Sequence, residues 1–573
     1  VTFKLDGGNI GGDPSNVIKT GKYGATLSAP AEATLKRTGY TFNSWKPEGS
    51  APALTLTFPA ADATYTAQWT ANTYYVHFDK NDDAAAGNMD DQQFTYDAPT
   101  KALTKNQFIK SGHDFDGWAV SADGPKYYID EAQVTNLATA QDAIVRLYAK
   151  WKKKTYTVRF SVAAGEGKLK GEYNDGTSHS NTAQNGGGEV KLENVPYGTQ
   201  VTFTATPTTS AGAWKVAGWT KNNAAVNGTN GTYTLSNVTA DTAVTVKFYQ
   251  SEIDGTDPMA WRALLNAVSD APENATIKIN GEIKATIAND NKGEIVINKN
   301  LTIKGKTGAS SDKLNAITQS RIFKVKTGKT LTLENITLKN GGKYPATEDG
   351  GGIYSEGTLT LKNTTIESCG ATNGGGVYVS GGTFEMHGSS AITGCTAVNS
   401  GGGVYVGGGT FEMHDSSKIT DCTANEKGGG VYVKDGTFKM SGSATVTPST
   451  GPDQYTAGKN DVYLKSGKTI NITDELLVLV PVARITPETY AESVQVLSGN
   501  IAGFSWSPNE NYKKFTVTQP TGSDFVWTIK DDGKLQKISS TINAGSGAWK
   551  KLLDAVREFP EGSTITIDGE IKA

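Results

Sequence analysis

The chain has 573 residues, 55 of them Lys or Arg and 58 Asp or Glu, with a net charge of −3 and 37% hydrophobic residues. That balance excludes a nucleic-acid partner, which needs a cationic stripe, and 3 cysteines in this length exclude a disulfide scaffold. The 66 glycines are the excess to explain, since average use of about 7% predicts roughly 40.

Val1-Thr-Phe-Lys-Leu reads as a strand from the first residue. Neither a charged nor an apolar leader region precedes it, so a secretion signal is expected outside these residues. Three related blocks follow, over 1–71, 72–153 and 154–250. The first holds Gly39-Tyr-Thr-Phe-Asn-Ser-Trp45 and closes with Tyr65-Thr-Ala-Gln-Trp69. The second holds Gly112-His-Asp-Phe-Asp-Gly-Trp118 and closes with Leu147-Tyr-Ala-Lys-Trp151. The third, more divergent, runs from Tyr156 through Val216-Ala-Gly-Trp219 to Phe248. Period-2 alternation of apolar residues at the start and end of each block predicts half-buried strands. Trp45, Trp69, Trp118 and Trp151 are read as core anchors, with sugar stacking as the alternative.

These blocks resemble the Listeria–Bacteroides repeat, or internalin B-repeat, through the pairing of G-Y-x-F-x-x-W with a terminal Y-x-A-x-W. The resemblance implies small β-grasp-like modules in tandem on bacterial surface proteins, with no catalytic residues to carry over.

Asp257-Pro258 predicts an N-cap and first helical residue, followed by one apolar helical face of Trp261, Leu264, Leu265 and Val268. This helix is the expected lid of a solenoid over 251–475, with Thr276 opening the first coil. Gly-Gly-Gly triplets begin at Gly350, Gly374, Gly401 and Gly428, and recur every 24 to 27 residues. Each triplet precedes Ile-Tyr-Ser or Val-Tyr-Val. Three short strands per repeat, including Thr383-Phe-Glu-Met and Lys418-Ile-Thr-Asp-Cys422, make one coil of a right-handed parallel β-helix. The glycines mark corners where φ is positive or backbones approach closely. Val377, Val379, Phe384 and Met386 are predicted to face inward, with Val404, Val406, Phe411 and Met413 stacked on them. Tyr354, Tyr378, Tyr405, Tyr432 and Tyr463 form an outward ladder.

Residues 476–540, with Trp506, Phe515, Val517, Trp527 and Ile529, read as closing coils or a C-terminal β-cap. Residues 549–573 repeat residues 261–285 at 15 of 25 positions. Segment 541–573 therefore begins a second β-helix or folds back as a lid. The fold class expected is mainly β: tandem small modules, then a solenoid capped by an amphipathic helix.

Right-handed β-helices include polysaccharide lyases and hydrolases, whose chemistry needs clustered carboxylates with a basic partner. Here Glu385 and Glu412 stack with Lys439, Asp349, Asp415, Asp421 and Asp435 are scattered, and no catalytic, cofactor or metal residue is assigned. His387 and His414 share a coil position but lack a converging ligand set. Cys369, Cys395 and Cys422 coincide by rung and are expected to be buried free thiols. The tyrosine ladder (Tyr354, Tyr378, Tyr405, Tyr432) is the candidate ligand surface, suited to glycan stacking or protein contact. The function expected is a non-catalytic, extracellular adhesin-like protein of the bacterial surface, binding a host or matrix glycan or protein. A polysaccharide-active enzyme and a purely structural stalk are the alternatives. No apolar run approaches the roughly 20 residues of a membrane helix.

Overall fold

The computed structural model describes the chain except residues 210–212, 288–289, 343–345, 450–457, 479–480, 501–509, 521–524, 559–564 and 573. Trp506 lies outside the described residues.

The first two modules share one sheet plan. In the first, the opening strand Thr2–Lys4 pairs in parallel with the closing strand Thr64–Ala71, which is antiparallel to Tyr40–Pro47. In the second, Thr73–Asp79 pairs in parallel with Ala143–Lys153, itself antiparallel to His113–Ala119. A bulge between Phe42 and Ser44 recurs between Phe115 and Gly117. Residues three apart face opposite sides of a regular strand, and the bulge returns them to one side. Phe42 thereby meets Trp45 at 5.3 Å, and Phe115 meets Trp118 at 4.8 Å. Trp118 is fully buried, while Trp69 and Trp151 are half-buried. Those two indole N–H groups donate to the carbonyls just past the opening strands, at Leu5 and Lys80, both at 2.9 Å. No α-helix lies within 1–153, so these are small mixed sheets closed by loops, without the helix of a β-grasp. The third module is larger, with a five-stranded and a four-stranded sheet enclosing Phe160, Phe203, Trp219 and Phe248.

Beyond residue 251 the chain winds into a parallel β-solenoid. Among the described residues its three main sheets have ten, seven and nine strands, and like residues stack in register. Phe384, Phe411 and Phe438 form one inner ladder and Met386, Met413 and Met440 another, all fully buried. Successive phenyl rings lie 4.8 and 4.9 Å apart, nearly parallel.

The solenoid starts one strand earlier than the sequence suggests, because Glu252–Asp254 pairs in parallel with Lys278–Asn280. Helix α1 (Ala260–Asp270) is inserted between these two strands, burying Trp261, Leu264 and Val268 over the open apolar end. It begins two residues later than the Asp-Pro signal predicts. Asp257 instead caps the preceding turn, its Oδ1 accepting the Met259 N–H at 2.8 Å. At the far end the sheets run on through Ala483–Pro487, Leu497–Gly499 and Phe515–Val517. An antiparallel hairpin, Phe525–Ile529 with Leu535–Ser539, then covers the last rung with Trp527, Ile529 and Leu535.

Segment 541–573 repeats the strand–helix–strand plan of the solenoid's start. Thr541–Asn543 pairs in parallel with Thr566–Asp568, and helix α2 (Ala548–Glu558) lies between them in sequence. Its buried residues form their own small cluster, and Trp549 is 41% exposed where the matching Trp261 is fully buried.

Candidate functional site

The glycine triplets set the solenoid's corners by two distinct means. Gly374 has φ +64°, a conformation that L side chains rarely adopt. A β-carbon on Gly375 would lie 2.3 Å from the Thr396 carbonyl oxygen of the next rung. Positive φ and close backbone approach thus fall on neighbouring glycines. They leave no room for side chains that would spread the rungs.

That compression shapes the tyrosine ladder. The rings of Tyr354, Tyr378, Tyr405, Tyr432 and Tyr463 are 4.7 to 5.3 Å apart, and the first three are nearly parallel. The ladder stands outside the apolar core, as its alternation requires, yet Tyr405, Tyr432 and Tyr463 are only 7–8% exposed. Rings stacked rung on rung consume one another's faces, leaving edges and hydroxyls to the surface. Tyr405, Tyr432 and Tyr463 therefore offer no open face for sugar stacking, whereas Tyr354 and Tyr378 stay half-exposed. Cations flank both ends, with Arg321 5.1 Å and Lys324 5.2 Å from the Tyr354 ring centroid and Lys427 5.0 Å from that of Tyr463. Burial raises the Tyr405 phenol far above its usual range.

The ten-stranded sheet carries a polar ladder on its outer face. His387 and His414 stack at 4.7 Å. Each sits beside a carboxylate two residues earlier in sequence, Glu385 at 3.4 Å and Glu412 at 3.3 Å. Lys439 pairs with Glu412 at 2.9 Å. Among the described residues no three His, Cys, Asp or Glu converge as metal ligands. Cys369, Cys395 and Cys422 are free and buried in successive rungs.

Sequence reading missed the joints between modules. Gly39 O accepts the N–H of the linking residue Asn72, whose own carbonyl accepts the Tyr96 N–H, both at 2.9 Å. One module later, Gly112 O accepts from Lys154 at 2.9 Å, and Lys154 O accepts from Tyr197 at 2.8 Å. The relay recurs where the third module meets the solenoid: Ala213 O accepts from Ser251 and Ser251 O from Lys278. At the first two joints a tyrosine ring fills the space over a bare glycine. A β-carbon at Gly39 or Gly112 would come within 2.1 Å of Tyr96 or Tyr197. At the third, Lys278 replaces tyrosine and Ala213, at φ +36°, replaces glycine. The sequence signal was the recurrence of Tyr23-Gly, Tyr96-Asp and Tyr197-Gly at one place in each block.

These features define a mainly-β repeat protein, with small mixed-sheet modules coupled to a parallel β-solenoid. Residues 1–70 and 74–150 each match the Listeria-Bacteroides repeat domain. A protein of Evansella cellulosilytica, provisionally named a Gly-rich membrane protein, is 26% identical over 229 residues, covering 38% of this chain and 23% of its own length. A second from that organism, provisionally named a membrane protein, is 26% identical over 155 residues, covering 26% of this chain and 22% of its own. The chain thus spans less than a quarter of these curated relatives. Among solved structures, a pilus-presented adhesin aligns over 20% of this chain and 34% of its own at 14% identity. Its TM-score of 0.13 is too low to bear on the fold. Among the described residues no helix is long and apolar enough to cross a membrane.

Proposed function

We propose that this chain is a non-catalytic, adhesin-like part of a bacterial surface protein, in which jointed β-modules hold the solenoid out for attachment to a host or matrix glycan or protein. The observation that carries the reading is the relay repeated at three joints. It couples each unit to the next through one linking residue, as an extended presenting arm requires. The repeat-domain match and the membrane-protein names of the relatives support a surface setting. The polar ladder of Glu385, His387, Glu412, His414 and Lys439 is the better contact face, because its groups are half-buried and reach solvent.

The test is adhesion of cells displaying the chain with residues 251–540 replaced by an inert spacer of equal length. Loss of attachment supports the reading. Retained attachment transfers the role to the modules. Release of unsaturated or reducing sugar ends from pectins or glycosaminoglycans would replace it with an enzyme.

A purely structural stalk is the second reading, favoured by the burial of Tyr405 and Tyr432. On that reading the ladder only holds rungs together, and the isolated solenoid binds nothing in a glycan and matrix-protein screen.

A further inference from the structure

We propose that the outer corner of the solenoid's closing rungs is a binding site for an acidic sugar unit, a pyranose bearing one carboxylate. The site shares no residue with the polar ladder, and either reading can fail without the other.

The cavity follows from turn length. In the glycine-rich rungs the chain turns from the nine-stranded into the ten-stranded sheet through residues 407–409 and 434–436. The same turn grows to 465–469 in the next rung and to 488–496 in the one after. Strand pairing keeps these rungs stacked, with Leu464 opposite Pro487 and Ile470 opposite Leu497. The surplus chain of the longer turns therefore bows outward. Between the two turns lies a cavity of about 410 Å³, inside the roughly 300–1,000 Å³ of small-molecule sites. One bond ties its walls together: the Ser466 N–H donates to Glu488 Oε2 at 2.9 Å.

The lining selects the ligand. Lys465 and Lys468 both line the cavity, against the single carboxylate of Glu488. Lys468 Nζ donates to the Asp435 carbonyl of the preceding turn at 2.6 Å, which leaves two of its three donors. Glu488 is already engaged. Its carboxyl is held below the usual range, first by the Ser466 hydrogen bonds and then by Lys427 and Lys465. The surplus of ammonium groups favours an anion. An inorganic anion is much smaller than this cavity and is held by a nest of converging backbone donors. The rest of the lining suits a sugar. Thr489 and Ser493 supply hydroxyls, and Val494 and Val496 an apolar patch for the C–H face of a pyranose. Among the described residues no aromatic ring lines the cavity, so an aromatic ligand has no stacking partner. The sugar carboxylate accepts charge-assisted hydrogen bonds from Lys465 and Lys468.

The test is saturation-transfer NMR on the whole chain, with glucuronate as the probe and glucose as its neutral counterpart. Glucuronate should give a saturable signal with a dissociation constant on the order of millimolar, and glucose none at the same concentrations. Replacing Lys465 and Lys468 together by alanine should weaken binding roughly tenfold or more. Ser493→Trp, which fills the cavity, should abolish it. Lys439→Ala alters the polar ladder and should leave it unchanged. A competition on the unaltered chain needs no variant: inorganic sulfate, at equal concentration and constant ionic strength, should not displace glucuronate. Displacement by sulfate would make this a general anion site and overturn the proposal. Absent glucuronate binding, equal binding of glucose, or binding that survives both cavity variants overturns it as well. Loss of binding in Lys439→Ala would move the sugar to the polar ladder and overturn it too.

Discussion

Gly39 and Tyr96 meet backbone to ring, so closely that a β-carbon on the glycine would lie 2.1 Å from the tyrosine's Cδ1. The glycine also holds φ +78°, where an L side chain costs roughly 1–2 kcal/mol. Gly39→Val is therefore expected to open the first joint while sparing both flanking cores, which lie on other faces. Small-angle scattering should show a more flexible chain, and limited proteolysis new cleavage near Asn72. Buried Tyr65 and Tyr74 should stay protected. An unchanged scattering profile would mean that the joint is not held by this contact.

The inner phenylalanine ladder should dominate the solenoid's stability. Phe411 is fully buried between Phe384 and Phe438, and its truncation to alanine should cost about 3–5 kcal/mol. Each rung is held only by its neighbours, so the loss should appear as a lower urea midpoint for the solenoid, with the modules' transition unmoved. A shift below about 1 kcal/mol would show that the rungs close over the cavity.

Much of this fold was legible because a solenoid repeats its local rules. One triplet and one Val-Tyr-Val predicted the inner placement of Val404, Phe411 and Met413 in the next rung. The tyrosines stand outside the apolar core, as alternation predicts, but how far each is exposed was not legible. Alternation tells which side of a strand a ring occupies, whereas Tyr405 is buried by ring-on-ring stacking across rungs. The Gly39–Tyr96 contact was hidden for a related reason. Each residue looks local, a turn glycine and a turn tyrosine, and their meeting depends on how one module's sheet continues into the next. The start of helix α1 was misplaced by two residues because Asp257 caps the turn before the helix.

Thiol chemistry gives a direct check on the core. Cys369, Cys395 and Cys422 are at most 1% exposed, and burial pushes the Cys422 thiol well above its usual range. The thiolate is the reactive species. The folded protein at pH 8 should therefore leave a disulfide reagent such as DTNB almost unconsumed, and the denatured protein should consume three equivalents. Fewer than three after denaturation would mean that two of these sulfurs are already bonded.

The first rungs should carry an acid-sensitive tie at Asp312. This carboxylate is fully buried and accepts four hydrogen bonds: from Gly281 N at 2.8 Å, Gly308 N at 2.8 Å, Thr307 N at 2.5 Å and Thr307 Oγ1 at 3.0 Å. Burial works against its charge, but these donors outweigh it and hold the carboxyl below its ordinary value. A folded pKa below the unfolded one means that the contribution is complete above the unfolded value, about 3.9. It is lost as pH falls through the lower, folded value. Asp312→Asn turns an amide N–H₂ toward backbone donors and should cost about 2–3 kcal/mol at pH 7. Denaturant titrations of both proteins should keep that gap down to about pH 4 and close it below. A gap that stays constant to pH 2.5 would show that the buried shape of the residue, not its charge, holds the rungs together.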